Sequence, residues 1–144
     1  MMNRNGIRTY ALYFAWIVSL IATLGSLYFS EVKGFIPCNL CWFQRICMYP
    51  QSVILGIAAY HNDLRVKRYI LPLSVIGAAI SLFHYLEQKL PFLSEVAKVC
   101  TSGVPCTTTY MNWFGFITIP FLALIAFGLI IFFMVITKMD DENA

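Results

Sequence analysis

Charge is what this chain has least of. Only 12% of its 144 residues are Asp, Glu, Lys or Arg, against 60% that are hydrophobic, whereas a soluble domain of this size carries roughly a quarter charged residues. With a mean hydropathy of +0.73, the deficit excludes an ordinary soluble domain and marks a membrane protein. The formal charge is +3, but the basic residues lie scattered between apolar runs rather than clustered with aromatics, so no nucleic-acid partner is expected. Internal repeats, low-complexity tracts and stretches polar enough for a soluble domain are also missing. No A-x-A-like cleavage site follows the first apolar run, which is too long for the core of a signal peptide. It therefore reads as a retained membrane span.

What the chain has in quantity is apolar runs, over residues 10–29, 38–60, 69–87 and 113–137. About 20 such residues in a helix cross the roughly 30 Å hydrocarbon layer of a bilayer. The expected fold is all-α: an integral membrane four-helix bundle, one transmembrane domain over residues 1–144. Ser19, Thr23, Ser26 and Ser30 recur at helical spacing, a small-residue stripe suited to facing other helices. Pro50 is expected to kink the second span locally, and residues 61–68 to form a tight turn. Gly77, Ser81, His84 and Gln88 share one face of the third span. The only long connection, 88–112, begins with a mixed apolar and charged stretch over 90–99, which suits a short helix lying on the membrane surface. Trp113 and Phe114 mark the interfacial start of the fourth span.

Orientation follows from the cations. Arg4, Arg8, Arg65, Lys67, Arg68 and Lys138 fall on one side, and Lys33, Lys89 and Lys98 on the other, with Arg45 at the membrane edge. The positive-inside rule places both termini in the cytoplasm.

Five cysteines punctuate this plan. Cys38 and Cys41 form a C-x-x-C at the mouth of the second span, just after Pro37. In a helix starting there, Cys38, Cys41 and Arg45 lie on one face, which continues to Met48 and Ser52. A helix N-terminus carries partial positive charge and unpaired N–H groups, both of which favour a thiolate; Arg45 adds a permanent cation one turn below Cys41. Residue types and placement thus describe a redox site. Cys100 and Cys106 bracket a turn built on Gly103 and Pro105, and a six-residue step with a turn can bring two cysteines within bonding range. Both pairs fall outside the cytoplasm, where disulfides persist. Cys47, inside an apolar segment, reads as a buried free thiol. Zinc binding is the competing use of two Cys pairs, but Arg45 repels a dication and Cys-x5-Cys is loose spacing for a structural site. A purely structural disulfide one helical turn long gains little from loop closure.

Four spans, the run Pro37-Cys38-Asn39-Leu40-Cys41-Trp42-Phe43-Gln44-Arg45, a second Cys pair between spans three and four, and Ile119-Pro120 early in span four together resemble the DsbB family of quinone-linked disulfide bond formation proteins. The similarity is to its short, BdbC-like type in particular. It implies a bacterial cell-membrane protein that reoxidises an extracytoplasmic thioredoxin-fold oxidase of the DsbA or BdbD kind. Redox-active disulfides Cys38–Cys41 and Cys100–Cys106 would pass the electrons to the membrane quinone pool, menaquinone or ubiquinone. By the same resemblance, Cys100 forms the mixed disulfide with the partner, Cys106 attacks Cys38, and the freed Cys41 thiolate meets the quinone. Only five residues separate the loop cysteines here, whereas longer family members place them far apart.

An apolar acceptor soluble in lipid needs a site open to the bilayer at the depth of Cys41. The stripes Cys41-Arg45-Met48 and Ser81-His84-Gln88 are expected to build it between the second and third helices. Arg45 would stabilise charge developing on a quinone oxygen, and an intramembrane arginine marks a functional site by default. His84 either lines that pocket or pairs with Glu87, and Gln44 is expected to bond a loop backbone. A vitamin-K-epoxide-reductase-like enzyme remains an alternative, although its active C-x-x-C would follow the loop pair. A non-catalytic metal-binding membrane protein is the other.

Overall fold

The computed structural model describes residues 4–34, 39–90, 92–93 and 119–142. Cys38, Cys100, Cys106 and most of the expected surface helix in the third connection lie outside them. The described residues hold four long helices: α1 (Arg4–Glu31), α2 (Asn39–His61), α3 (Lys67–Lys89) and α4 (Ile119–Glu142). Three stretches, Gly6–Glu31, Leu64–Lys89 and Ile119–Met139, are long and apolar enough to cross a membrane, which makes this a multi-pass membrane protein. The remaining helix, α2, has 23 residues and is about 34 Å long at 1.5 Å per residue. Asn39, Gln44, Arg45 and Gln51 put polar side chains along it.

The helices exceed the apolar runs at their ends because polar residues at a membrane surface continue a helix once its core is nucleated. Thus α1 begins at Arg4 and α3 at Lys67. The turn over 61–68 has a definite construction. Asn62, at φ 53°, takes the left-handed conformation that ends α2. The Asp63 N–H donates to the Ala58 carbonyl (2.9 Å) and the Asn62 N–H to that of Ala59 (3.4 Å), a Schellman closure. Asp63 then caps a single 3-10 turn, Leu64–Val66, by accepting from the Arg65 N–H. Pro50 and Pro72 both lie within continuous helices.

α1 and α3 do not form the main contacts with each other; each packs against both α2 and α4. The core between them contains Leu12, Cys47, Leu55, Ile70, Phe127 and Met134, with Cys47 a buried free thiol as expected. Two glycines permit the closest approaches. A Cβ on Gly77 would overlap the Phe127 ring, and one on Gly56 would stand 2.8 Å from the Trp16 indole nitrogen. The outward faces carry Ile21, Leu24, Ile46, Val53, Ile76 and Phe132, all exposed, as lipid-facing positions are.

Candidate functional site

Asn39 opens the described part of α2, which puts Cys41 in its first helical turn. Cys41 is half-buried and packs against Leu40, with Ile80 and Phe83 of α3 on the same small cluster. Its other side faces a cavity of about 450 Å3. Cys41, Gln44, Arg45, Met48 and Tyr49 form one wall; Ala22, Gly25, Ser26 and Ser30 of α1 and Ile119, Ala123 and Ala126 of α4 form the others. The small residues of α1 and α4 leave the space, because two helices in contact there present little side-chain volume. Ile21, Ile125 and Leu129 are wall residues that are also exposed on the outer surface, so the cavity opens sideways between α1 and α4.

The cavity lies between α1, α2 and α4, and no described residue of α3 lines it, so it is not the space between α2 and α3 in which the two polar stripes were expected to meet. The α2–α3 seam is instead closed by polar pairs. Gln44 Nε2 lies 3.0 Å from His84 Nδ1 with both side chains buried, and farther along the helices the Ser74 hydroxyl donates to Gln51 Oε1 at 3.0 Å. Gln44 therefore reaches a side chain on a neighbouring helix rather than a loop backbone. His84 is 1% exposed and meets Gln44, a residue of the cavity wall. Ser81 lies in the same buried seam, and Gln88 is half-buried beyond it.

Arg45 is held against the α1 side of the cavity. Its Nη2 donates to the Ser26 carbonyl on α1 at 3.2 Å, and its guanidinium carbon lies 5.6 Å from the centre of the Trp42 ring, within cation–π range. The cation thus bridges α2 to α1. The serine stripe of α1 divides in two: Ser19 is fully buried and bonds its own helix at the Trp16 carbonyl (2.7 Å), while Ser26 and Ser30 line the cavity. Sequence reasoning missed Tyr49 as a wall residue, although its place one turn beyond Arg45 on the same stripe was a usable signal. The walls from α1 and α4 had none, because small apolar residues look alike whether they pack or leave space. Among the described residues, no cluster of three or more His, Cys, Asp or Glu is placed to hold a metal ion.

Comparison with known proteins adds a family to this geometry. A profile of the family "Disulfide bond formation protein DsbB" matches residues 8–137. The chain is 64% identical over 132 residues to disulfide bond formation protein C of Bacillus subtilis, covering 92% of this chain and 95% of that one. It is 56% identical over 126 residues to the probable disulfide formation protein C 1 of Bacillus cereus, covering 88% and 90%. A probable disulfide formation protein of Coxiella burnetii is 46% identical over 136 residues, covering 94% and 92%. No solved structure gives a significant match.

Proposed function

The chain belongs to the DsbB family of disulfide bond formation proteins, in its short BdbC-like form, and from that membership we propose that it is a thiol oxidoreductase regenerating an extracytoplasmic disulfide donor at the expense of membrane quinone. The observation that carries this reading is the shared wall: Cys41 and Arg45 face one apolar cavity that opens towards lipid. In this reading α2 is a fourth span, completing a four-helix transmembrane bundle with both termini cytoplasmic. A short surface helix then precedes the loop cysteines.

The cavity suits a quinone by its chemistry. Its wall is almost wholly apolar, it is reached from the side that lipid occupies, and it carries the Arg45 guanidinium. A bound quinone supplies a sink for two electrons and two protons. The protein's own residues do the rest. A thiolate of the reduced thioredoxin-fold partner attacks Cys100, breaking Cys100–Cys106 and releasing the Cys106 thiolate. Cys106 attacks Cys38, breaking Cys38–Cys41 and leaving Cys41 as a thiolate on the cavity wall. The partner's second thiol displaces Cys100 and leaves oxidised. Cys100 then resolves the Cys38–Cys106 bond, which restores Cys100–Cys106 and leaves Cys38 and Cys41 reduced. Closure of Cys38–Cys41 yields two electrons and two protons at the cavity. Arg45 stabilises the Cys41 thiolate from one turn below, and the first-turn N–H groups of α2 assist.

The test traps the partner. A Cys106→Ser chain in its native membrane should accumulate a mixed disulfide through Cys100 to a thioredoxin-fold protein, and purified wild-type chain should oxidise that protein beyond its own disulfide equivalents only when quinone is supplied. Multiple turnovers without quinone, or capture independent of Cys100, would overturn the relay.

A further inference from the structure

Arg45 brings a fixed charge into a nearly apolar wall, and among the described residues both of its partners are neutral. One is the Ser26 carbonyl, 3.2 Å from Nη2. The other is the Trp42 ring, whose centre is 5.6 Å from the guanidinium carbon. A carboxylate in either place would cancel much of the field that the cation exerts on a nearby thiolate. A carbonyl and an aromatic face hold the cation and leave its charge uncancelled. One hydrogen bond fixes one nitrogen of a long, rotatable side chain, so the ring is the second point that sets where the charge sits. The core does not account for Trp42. It is 53% exposed and belongs to neither buried cluster among the described residues. It stands three residues before Arg45, a spacing at which two helical side chains meet.

We propose that Trp42 is a positioning residue: with the Ser26 carbonyl it clamps Arg45 through neutral contacts, so that an uncancelled positive charge is held beside the Cys41 sulfur. The inference rests on the reading of Cys41 as a thiolate stabilised by Arg45, and not on the identity of the electron acceptor. Without the ring, the guanidinium is free to swing out to the membrane surface, as long basic side chains near a helix end do. The thiolate then loses part of its stabilisation although the cation is still in the chain. Trp42 acts through Arg45 alone, so removing the ring should matter only while Arg45 is present.

The experiment reads the thiolate itself, with no quinone present. In the full-length chain with Cys41 as its only cysteine (Cys38→Ser, Cys47→Ala, Cys100→Ser, Cys106→Ser), the rate of alkylation by iodoacetamide is followed against pH. His84 and Glu87 of α3 are unchanged in every variant, so their titration cancels from the comparison. Trp42→Leu should move the profile to higher pH and slow alkylation about two- to fivefold at a fixed pH on its rising limb, the worth of one partly exposed cation–π contact. Trp42→Phe keeps an aromatic face and should move it less. Phe43→Leu removes the adjacent exposed ring, leaves the Arg45 contact intact and should leave the profile in place. Arg45→Met should move it further than Trp42→Leu, and adding Trp42→Leu to Arg45→Met should move it no more. A Trp42→Leu profile that coincides with that of the parent chain, a Trp42→Phe shift as large as that of Trp42→Leu, an equal shift from Phe43→Leu, or full additivity with Arg45→Met would overturn the clamp and leave the relay standing. An Arg45→Met profile that coincides with that of the parent chain would overturn both the clamp and the role of Arg45 in the relay.

Discussion

Gln44 and His84, forty positions apart in the chain, meet at 3.0 Å inside the α2–α3 seam. The amide nitrogen can only donate, so His84 Nδ1 is the acceptor and the ring proton sits on Nε2. The contact ties the redox end of α2 to α3 and fixes a side chain that is part of the cavity wall. In lipid such interhelical bonds are worth about 0.6 kcal/mol on average and up to roughly 1.7. A double-mutant cycle with Gln44→Leu and His84→Leu, followed by reversible unfolding in detergent, should show a coupling energy in that range. Strictly additive losses would mean that the two side chains do not act together.

The contact of Gly77 with Phe127 sets the approach of α3 to α4. Gly77→Ala puts a methyl group into the ring, and overpacking of this kind costs about 1–3 kcal/mol. The variant should unfold at lower denaturant, and Phe127→Leu in the same chain should recover part of the loss. Phe127→Leu that deepens the defect would place the strain elsewhere.

Arg45 is expected to serve the electron exit rather than the fold. Arg45→Lys keeps the charge but loses the planar fork that reaches Ser26 and stacks on Trp42. Arg45→Met loses both and fills similar space. Quinone turnover should fall in the order Arg, Lys, Met, by about 10- to 100-fold in kcat/KM for Met, with membrane abundance and partner trapping near normal. Failure of Arg45→Met to accumulate in the membrane would recast Arg45 as an anchor between α1 and α2.

The cysteines should separate cleanly. Cys38→Ser, Cys41→Ser, Cys100→Ser and Cys106→Ser should each abolish partner oxidation coupled to quinone. Cys47→Ala should retain it, because Cys47 is buried in the core with Leu55 and Met134. Its cost should be confined to stability, on the order of 1 kcal/mol for the small volume lost. An inactive but stable Cys47→Ala chain would contradict a relay through two pairs.

Topology gives the remaining prediction. A reporter fused after Ala144 should read cytoplasmic, and one inserted at Ser102 should read extracytoplasmic. The reverse pattern would put both cysteine pairs in a reducing compartment and end the functional reading with them.

Much of the site could be read from residue spacing along α2. Cys41, Arg45 and Met48 were expected on one stripe, and a single helix makes that arithmetic dependable, since its geometry is local. The same arithmetic gave Gln44 a different direction but not its partner, because His84 approaches from another helix. It also set the pocket between α2 and α3, whereas the described cavity lies on the other side of α2. Two polar stripes suggested a polar-lined space between α2 and α3, where Gln44 meets His84 and Ser74 meets Gln51. The open space lies against α1 and α4, where Gly25, Ala22, Ala123 and Ala126 leave volume unfilled.

Sequence alone determined the membrane class, the apolar helices, the buried thiol at Cys47 and the membership of a disulfide-forming family. Hydropathy, helical period and a nine-residue motif are properties of neighbouring residues and survive without a fold. Tertiary structure decided which faces meet. It paired Gln44 with His84 and Gln51 with Ser74, pinned Arg45 to a carbonyl of α1, left the Tyr49 hydroxyl without a partner, and opened the cavity towards α1 and α4. Each of these depends on the rotation and offset of one helix against another. Side-chain volume summed over several helices sets those quantities, as at Gly77 and Phe127, and no local pattern encodes them.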